Sequence, residues 1–218
     1  ARMGSPSGPI WLALESKVVP SAVAGHSVGE IAAFAIAGCL SPEEAIDAVV
    51  ERARLMAQAP KGAMAALRAS SEDEARSAIA GTSLEIAAHN GPEEWVLTGD
   101  RAELAALAGR ASIGMLPVSG AWHSRALADA AGPWRASLRR VQWKRPRVPV
   151  VANATGRFVE DEDLADLLAG QLTKPVRWAE TMQTRGAGPR WHVFGPGRVM
   201  RGLCRANQGL GAQVELHE

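Results

Sequence analysis

Cysteine is scarce in this sequence: Cys39 and Cys204 are the only two among 218 residues. Two thiols are too few for a disulfide framework or a cysteine metal cluster, so each reads as a small buried hydrophobe and no metal is expected. A reducing cytoplasm is then the natural compartment. No apolar run is long enough to span a bilayer as a helix. Excess charge of one sign is lacking too, since 24 basic and 23 acidic side chains leave a formal net charge of +1. That balance argues against nucleic acid and against a membrane surface as partners. The opening stretch from Ala1 to Pro9 has no basic segment leading into an apolar core, and so does not read as a signal peptide. Tyrosine is absent beside seven tryptophans, a bias that carries no functional information. Solenoid-period repeats and low-complexity linkers are missing as well.

What is present is 47% hydrophobic and 22% charged residues, enough for one domain carrying a smaller insert. Residues 10–17 read as the end of a helix, 22–25 as a strand and 28–37 as an almost wholly apolar, buried helix. Ser41-Pro42-Glu43-Glu44 combines an N-cap, a proline at the first helical position and a capping-box glutamate, which predicts a helix over 42–57. Two strand-to-helix signals this close favour a parallel sheet. Residues 63–67, 84–88, 94–98 and 114–118 read as strands, with helices at 71–80 and 101–108 and a turn at Asn90-Gly91-Pro92. Strand-helix-strand repeated twice is a ferredoxin-like order, predicting a small subdomain over 61–121 between body segments 1–60 and 122–218. Beyond it, helices are predicted at 124–138, 162–172 and 175–184, strands at 148–151 and 191–194, and a break at Gly195-Pro196-Gly197 before a short last helix.

The stretch Gly25-His26-Ser27-Val28-Gly29-Glu30 carries the chemistry. A serine between glycines, after an apolar run and before a helix, is the pattern of a nucleophile elbow: the tight turn needs small residues on both sides and leaves the hydroxyl exposed. The Val28 N–H then points where an oxyanion would form, assisted by the helix dipole. A glycine-rich chain also produces G-x-S-x-G by chance, but the strand-then-helix context fits the motif. A serine hydroxyl needs a base, and five histidines are available. His26 would point away from the open side of the elbow, His217 is almost terminal, His192 lies in an expected buried strand, and His89 ends a small-subdomain strand. His123 sits where the chain leaves the insert and re-enters the body, a place for a base at a cleft. Position alone leaves it open as base or as structural histidine.

The motifs resemble the malonyl-CoA:acyl-carrier-protein transacylases and the acyltransferase domains of polyketide synthases. Gly25-His26-Ser27-Val28-Gly29-Glu30 is similar to their nucleophile motif, Arg52-Ala53-Arg54-Leu55-Met56 to an R-x-x-x-M block, and Ala88-His89-Asn90-Gly91-Pro92 to an A-x-N-x-P turn. His123, Gln171-Leu172-Thr173-Lys174-Pro175-Val176-Arg177-Trp178 and Phe194-Gly195-Pro196-Gly197 follow in the same order. The resemblance implies an α/β fold: a parallel-sheet, α/β-hydrolase-like core with the ferredoxin-like insert. It implies Ser27 as nucleophile, His123 as base held by the Gln171 carbonyl, and Val28 as oxyanion donor. Arg52 would pair with a substrate carboxylate, its planar donors selecting dicarboxylic acyl groups. Asp161, Glu162, Asp163 and Asp166 are then solvated helix-start charges rather than triad members.

Trp122 and Met56 join Arg52 and Val28 as expected substrate-binding residues. A bulky ring before the base closes the pocket around the acyl α-carbon and favours malonyl, although Gly120-Ala121-Trp122-His123 departs from the tetrapeptide usual in malonyl-specific members. Malonyl-CoA is expected as substrate, with no cofactor, and an acyl carrier protein as second partner. The basic stretch Arg135, Arg139, Arg140, Lys144, Arg145 and Arg147 is either its docking face or a solvated surface. The family's F-P-G-Q-G-x-Q segment, source of a second oxyanion donor, has no counterpart here: either the chain is a fragment whose N-terminal part is absent or on another polypeptide, or it is a shortened homologue. The alternatives are an acyl-thioester hydrolase, against which Arg52 speaks, and a non-catalytic carrier-binding homologue.

Overall fold

The computed structural model describes residues 9–108, 112–184, 190–195, 198–208 and 213–217. Its first half runs α1 (Pro9–Glu15), α2 (Gly29–Ile36), α3 (Pro42–Ala57), β1 (Ala63–Arg68), α4 (Glu72–Ala78), β2 (Glu85–Gly91), β3 (Glu94–Gly99), α5 (Arg101–Ala108) and β4 (Ile113–Met115). A short 3-10 helix at Arg125–Leu127 leads into α6 (Ala128–Leu138), followed by α7 (Leu164–Gln171), β5 (Val176–Arg177), α8 (Trp178–Thr184), β6 (Trp191–Phe194), α9 (Arg198–Gln208) and β7 (Val214–His217).

Cap chemistry places α3. Ser41 Oγ accepts from the Glu44 N–H at 3.1 Å while the Glu44 carboxylate accepts from the Ser41 N–H at 2.7 Å, a closed capping box. The helix buries Ala45, Ala48, Leu55 and Met56, and with them the charged Arg52. Against it packs α2, whose Ile31 and Phe34 are fully buried.

Strands β1 to β4 pair antiparallel in the order β4-β1-β3-β2, the ferredoxin-like arrangement, with Ala63, Ala65, Leu67, Trp95 and Leu97 in a core of their own. The later β5 adds beside β2 in parallel, which welds this sheet to the body. Lys61 bridges to Gly120 where the insert leaves and rejoins the chain. Gly62 is needed there, because a Cβ would stand 2.7 Å from that of Ala121.

The α/β class is as expected, but the parallel body sheet is smaller. Strands expected at 22–25 and 148–151 contribute, among the described residues, one parallel bridge between Val23 and Val150, with β6 and β7 a separate parallel pair. Pro20 and Pro149 lack N–H donors, which limits how far that ladder extends. Asn90 and Gly91 stay within β2, and the hairpin turns on Pro92 and Glu93. The segment after Pro175 begins extended, as β5, before α8 starts. β7 was not anticipated. Ala1 to Gly8, Pro196 and Gly197 lie outside the described residues. Among those described, no helix is long and apolar enough to cross a membrane.

Candidate active site

The turn at Ser27 is shaped by crowding. A Cβ on Gly25 would stand 1.9 Å from the Gly29 carbonyl oxygen, so no larger residue fits. Ser27 itself adopts φ of 53°, in the left-handed region that costs a non-glycine residue on the order of 1–3 kcal/mol unless its surroundings hold it. Asn153 supplies that hold: its Oδ1 accepts from the Ser27 N–H at 2.6 Å and its Nδ2 donates to the Gly25 carbonyl at 2.6 Å. Val28 is the N-cap residue of α2, so its N–H belongs to the first-turn donors that have no intrahelical acceptor.

Across the turn, Ser27 Oγ lies 2.7 Å from His123 Nε2, and His123 Nδ1 lies 3.0 Å from the Gln171 carbonyl oxygen. A carbonyl only accepts, so Nδ1 carries the proton and Nε2 is left to take one from the serine. His123 is also left-handed, with φ of 58°. Burial, helped by the charge of Arg52, lowers its pKa from 6.5 to about 4, so the imidazole is neutral at pH 7.

Arg52 reaches the same point from α3. Its Nη2 donates to Ser27 Oγ at 3.2 Å and to Gln171 Oε1 at 3.0 Å. The Gln171 amide donates in turn to the Ser27 carbonyl at 2.8 Å and to Glu30 Oε2 at 2.5 Å. Glu30, fully buried, also accepts from the Asn153 N–H at 2.8 Å. Burial pushes the Glu30 carboxyl up to about 7, against its hydrogen bonds and the charge of Arg52. Burial also brings Arg52 down to about 10, opposed by Glu30. Ser27, His123, Gln171, Arg52, Glu30 and Asn153 therefore form one network.

A cleft of about 730 Å³ opens beside it, and Val28, Arg52, Met56 and Trp122 all line it, with Lys61 and Arg101. Trp122 packs between the body core and the core behind β2. Gly120 makes room for that ring, since a Cβ there would stand 2.1 Å from the indole. The other histidines lie apart from the base position. His26 Nε2 is 2.8 Å from Asn90 Oδ1 and its ring meets Trp178 edge-on, which ties the elbow to β2. His89 stacks on Trp95 at 3.9 Å. Arg54 points outward to Glu51.

The acyl transferase domain family matches residues 13–194 of the chain. The chain belongs to that family. The malonyl CoA-acyl carrier protein transacylase of Synechocystis sp. is 35% identical over 195 residues, covering 85% of this chain and 66% of that protein. The protein of the same name from Mycolicibacterium smegmatis is 37% identical, over 72% of this chain and 57% of its own length. The acyltransferase domain from the second module of the salinomycin polyketide synthase superposes with a TM-score of 0.86 at 32% identity, over 95% of this chain and 52% of that one. The chain thus spans less than two thirds of each of these relatives.

In this member of the acyl transferase domain family the expected site residues Ser27, His123, Arg52, Val28, Met56, Trp122 and Gln171 come together. Three further residues, Glu30, Asn153 and Asn90, were not expected. Glu30 had a signal: it is the one acid in an otherwise apolar helix. Asn153 follows the buried run Val150-Val151-Ala152, but nothing local ties it to Ser27, which lies 126 residues away in sequence. The basic stretch is partly neutralised, as Arg135 and Arg139 both pair with Asp166, and Arg145 pairs with Asp161. Two acids expected to be merely solvated thus face that stretch, and Asp163 caps α7.

Proposed function

We propose that the chain moves a malonyl group from CoA, through an ester on Ser27, to the pantetheine thiol of an acyl carrier protein. The observation that carries this reading is the 2.7 Å contact between Ser27 Oγ and His123 Nε2, with Arg52 Nη2 donating to the same Oγ at 3.2 Å. Ser27 Oγ attacks the thioester carbonyl carbon while its proton passes to His123 Nε2. The oxyanion forms against the Val28 N–H at the start of α2. The C–S bond breaks, and the leaving CoA sulfur takes the proton from His123. The carrier thiol then attacks the ester, giving its proton to His123, which returns it to Ser27. Arg52 would hold the free carboxylate of the malonyl group. Arg52 lines the cleft, where a planar guanidinium suits a carboxylate.

Labelled malonyl-CoA should leave a covalent label on the folded chain that Ser27→Ala abolishes and carrier thiol removes. A label that persists in Ser27→Ala, or water accepting the acyl group as fast as the carrier thiol, would overturn the reading.

A further inference from the structure

Strands β6 and β7 run parallel with His192 opposite Glu215 and Phe194 opposite His217. Residues two apart on a strand share a face, so His192, Phe194, Glu215 and His217 all stand on the same side of the pair. There, His192 Nδ1 lies 3.0 Å from His217 Nε2. Glu215 Oε2 lies 3.6 Å from His192 Nδ1, and Glu215 Oε1 lies 3.9 Å from His217 Nε2. None of these residues takes part in the Ser27 network.

A four-coordinate zinc ion with bonds of about 2.0–2.2 Å sets its ligand atoms roughly 3.3–3.6 Å apart along the tetrahedral edges. The two ring nitrogens and one Glu215 oxygen lie within 4.8 Å of one another, so side-chain rotations that close these gaps bring all three onto one centre. The ring of Phe194 stacks on His217 at 4.5 Å and fixes the plane of that imidazole. The two histidine side chains are 20% and 25% exposed and Glu215 is 54% exposed, which gives an ion a way in and leaves a coordination position for water. Two imidazoles and one carboxylate suit a borderline divalent ion, whereas calcium and magnesium prefer oxygen alone.

We propose that His192, Glu215 and His217 form a zinc(II) site that clasps β6 to β7. The benefit is topological. The two strands are four residues each, parallel, and joined through α9, so their pairing is non-local and short. An ion shared between them adds a link that exists only in the folded state, and stabilises it in proportion to the logarithm of free zinc over Kd.

Zinc sulfate titrated calorimetrically into the chelator-stripped chain should give one saturable equivalent and raise Tm. Loss of even an outer-shell partner weakens metal sites by about 10–100-fold, so His192→Ala and His217→Ala should each weaken binding by about 100-fold or more. Cobalt(II) should give the intense visible bands of a four-coordinate site in the native chain and not in His192→Ala. Should either alanine variant fail to fold by circular dichroism, Glu215→Gln on the exposed edge serves, with a loss of about tenfold expected. No uptake by the native chain, or an affinity unchanged in these variants, overturns the site.

Discussion

Gln171 lies 2.5 Å from the fully buried Glu30 through its side-chain amide, while its own carbonyl accepts from His123 Nδ1 at 3.0 Å. One residue therefore sets the tautomer of the base with its main chain and reports to a buried acid with its side chain. Replacing Glu30 tests that link. In Glu30→Gln the new side chain cannot accept from both the Asn153 N–H and the Gln171 amide, leaving a buried donor unpaired at a cost of about 1–3 kcal/mol. Glu30→Ala leaves both of those buried donors unpaired, each at about 1–3 kcal/mol. Urea unfolding at pH 6 measures both, and equal midpoints for Glu30→Ala and the native chain would refute the coupling.

The two shifted groups act on folding with opposite sign. His123 is held down to about 4, so between that value and 6.5 the folded state binds fewer protons than the unfolded one, and its contribution to stability grows as pH rises. Glu30 is raised from 4.5 to about 7, so its contribution is full below 4.5 and is lost as pH climbs through 7. The destabilisation caused by Glu30→Gln should accordingly shrink between about pH 5 and pH 8. A penalty that grows over that range in unfolding titrations would contradict the assignment.

The depressed His123 also predicts the acid limb of the acylation rate. A base already neutral above about 4 keeps single-turnover labelling flat through pH 6, where an ordinary imidazole would be about three-quarters protonated. The charge of Arg52 is one of the causes of that depression, so Arg52→Gln should move the midpoint of the limb to higher pH. An unmoved midpoint would mean that burial alone holds the base.

Arg52→Gln has a second consequence. If the guanidinium receives the free carboxylate of the acyl group, that charge-assisted pair is worth about 1.5–3 kcal/mol, or roughly 10- to 150-fold in selectivity. The ratio of kcat/KM for malonyl-CoA over acetyl-CoA should fall by about that factor. If both substrates weaken equally, Arg52 is supporting Ser27 and Gln171 rather than choosing the acyl group.

Local rules were enough for the parts of the fold governed by local forces. The Ser41 capping box marked the start of α3, and short apolar runs between turn signals indicated the four strands of the insert. The Ser27 elbow was legible because crowding between Gly25 and Gly29 leaves a sequence trace. The base was not fixed by position alone; His123 stood out only through the resemblance, because its approach to Ser27 depends on how the insert returns to the body. Asn153 and Glu30 stayed hidden for the same kind of reason: their partners are tertiary, and neither residue type at its position signals which backbone group it will meet. The body sheet was overestimated, since short apolar runs beside Pro20 and Pro149 carry the hydrophobicity of strands without the donors to extend a ladder.

Trp122 and Gly120 offer a test of how the cleft keeps its shape. A Cβ on Gly120 would meet three indole carbons of Trp122 at 2.1–2.3 Å, so in Gly120→Ala the ring must leave its place between the two cores. Overpacking of this kind costs about 1–3 kcal/mol, and because Trp122 lines the cleft, KM for malonyl-CoA should rise as well. Trp122→Ala alone is destabilising through lost packing and should widen the cleft, improving kcat/KM for α-methyl-branched acyl groups relative to malonyl. In the double variant the clash has no partner, so adding Gly120→Ala to Trp122→Ala should cost close to nothing. The resulting coupling, about 1–3 kcal/mol in a double-mutant cycle, isolates the contact from the separate effects of each residue. Strict additivity would show that the backbone at Gly120, rather than the indole, is what the glycine protects.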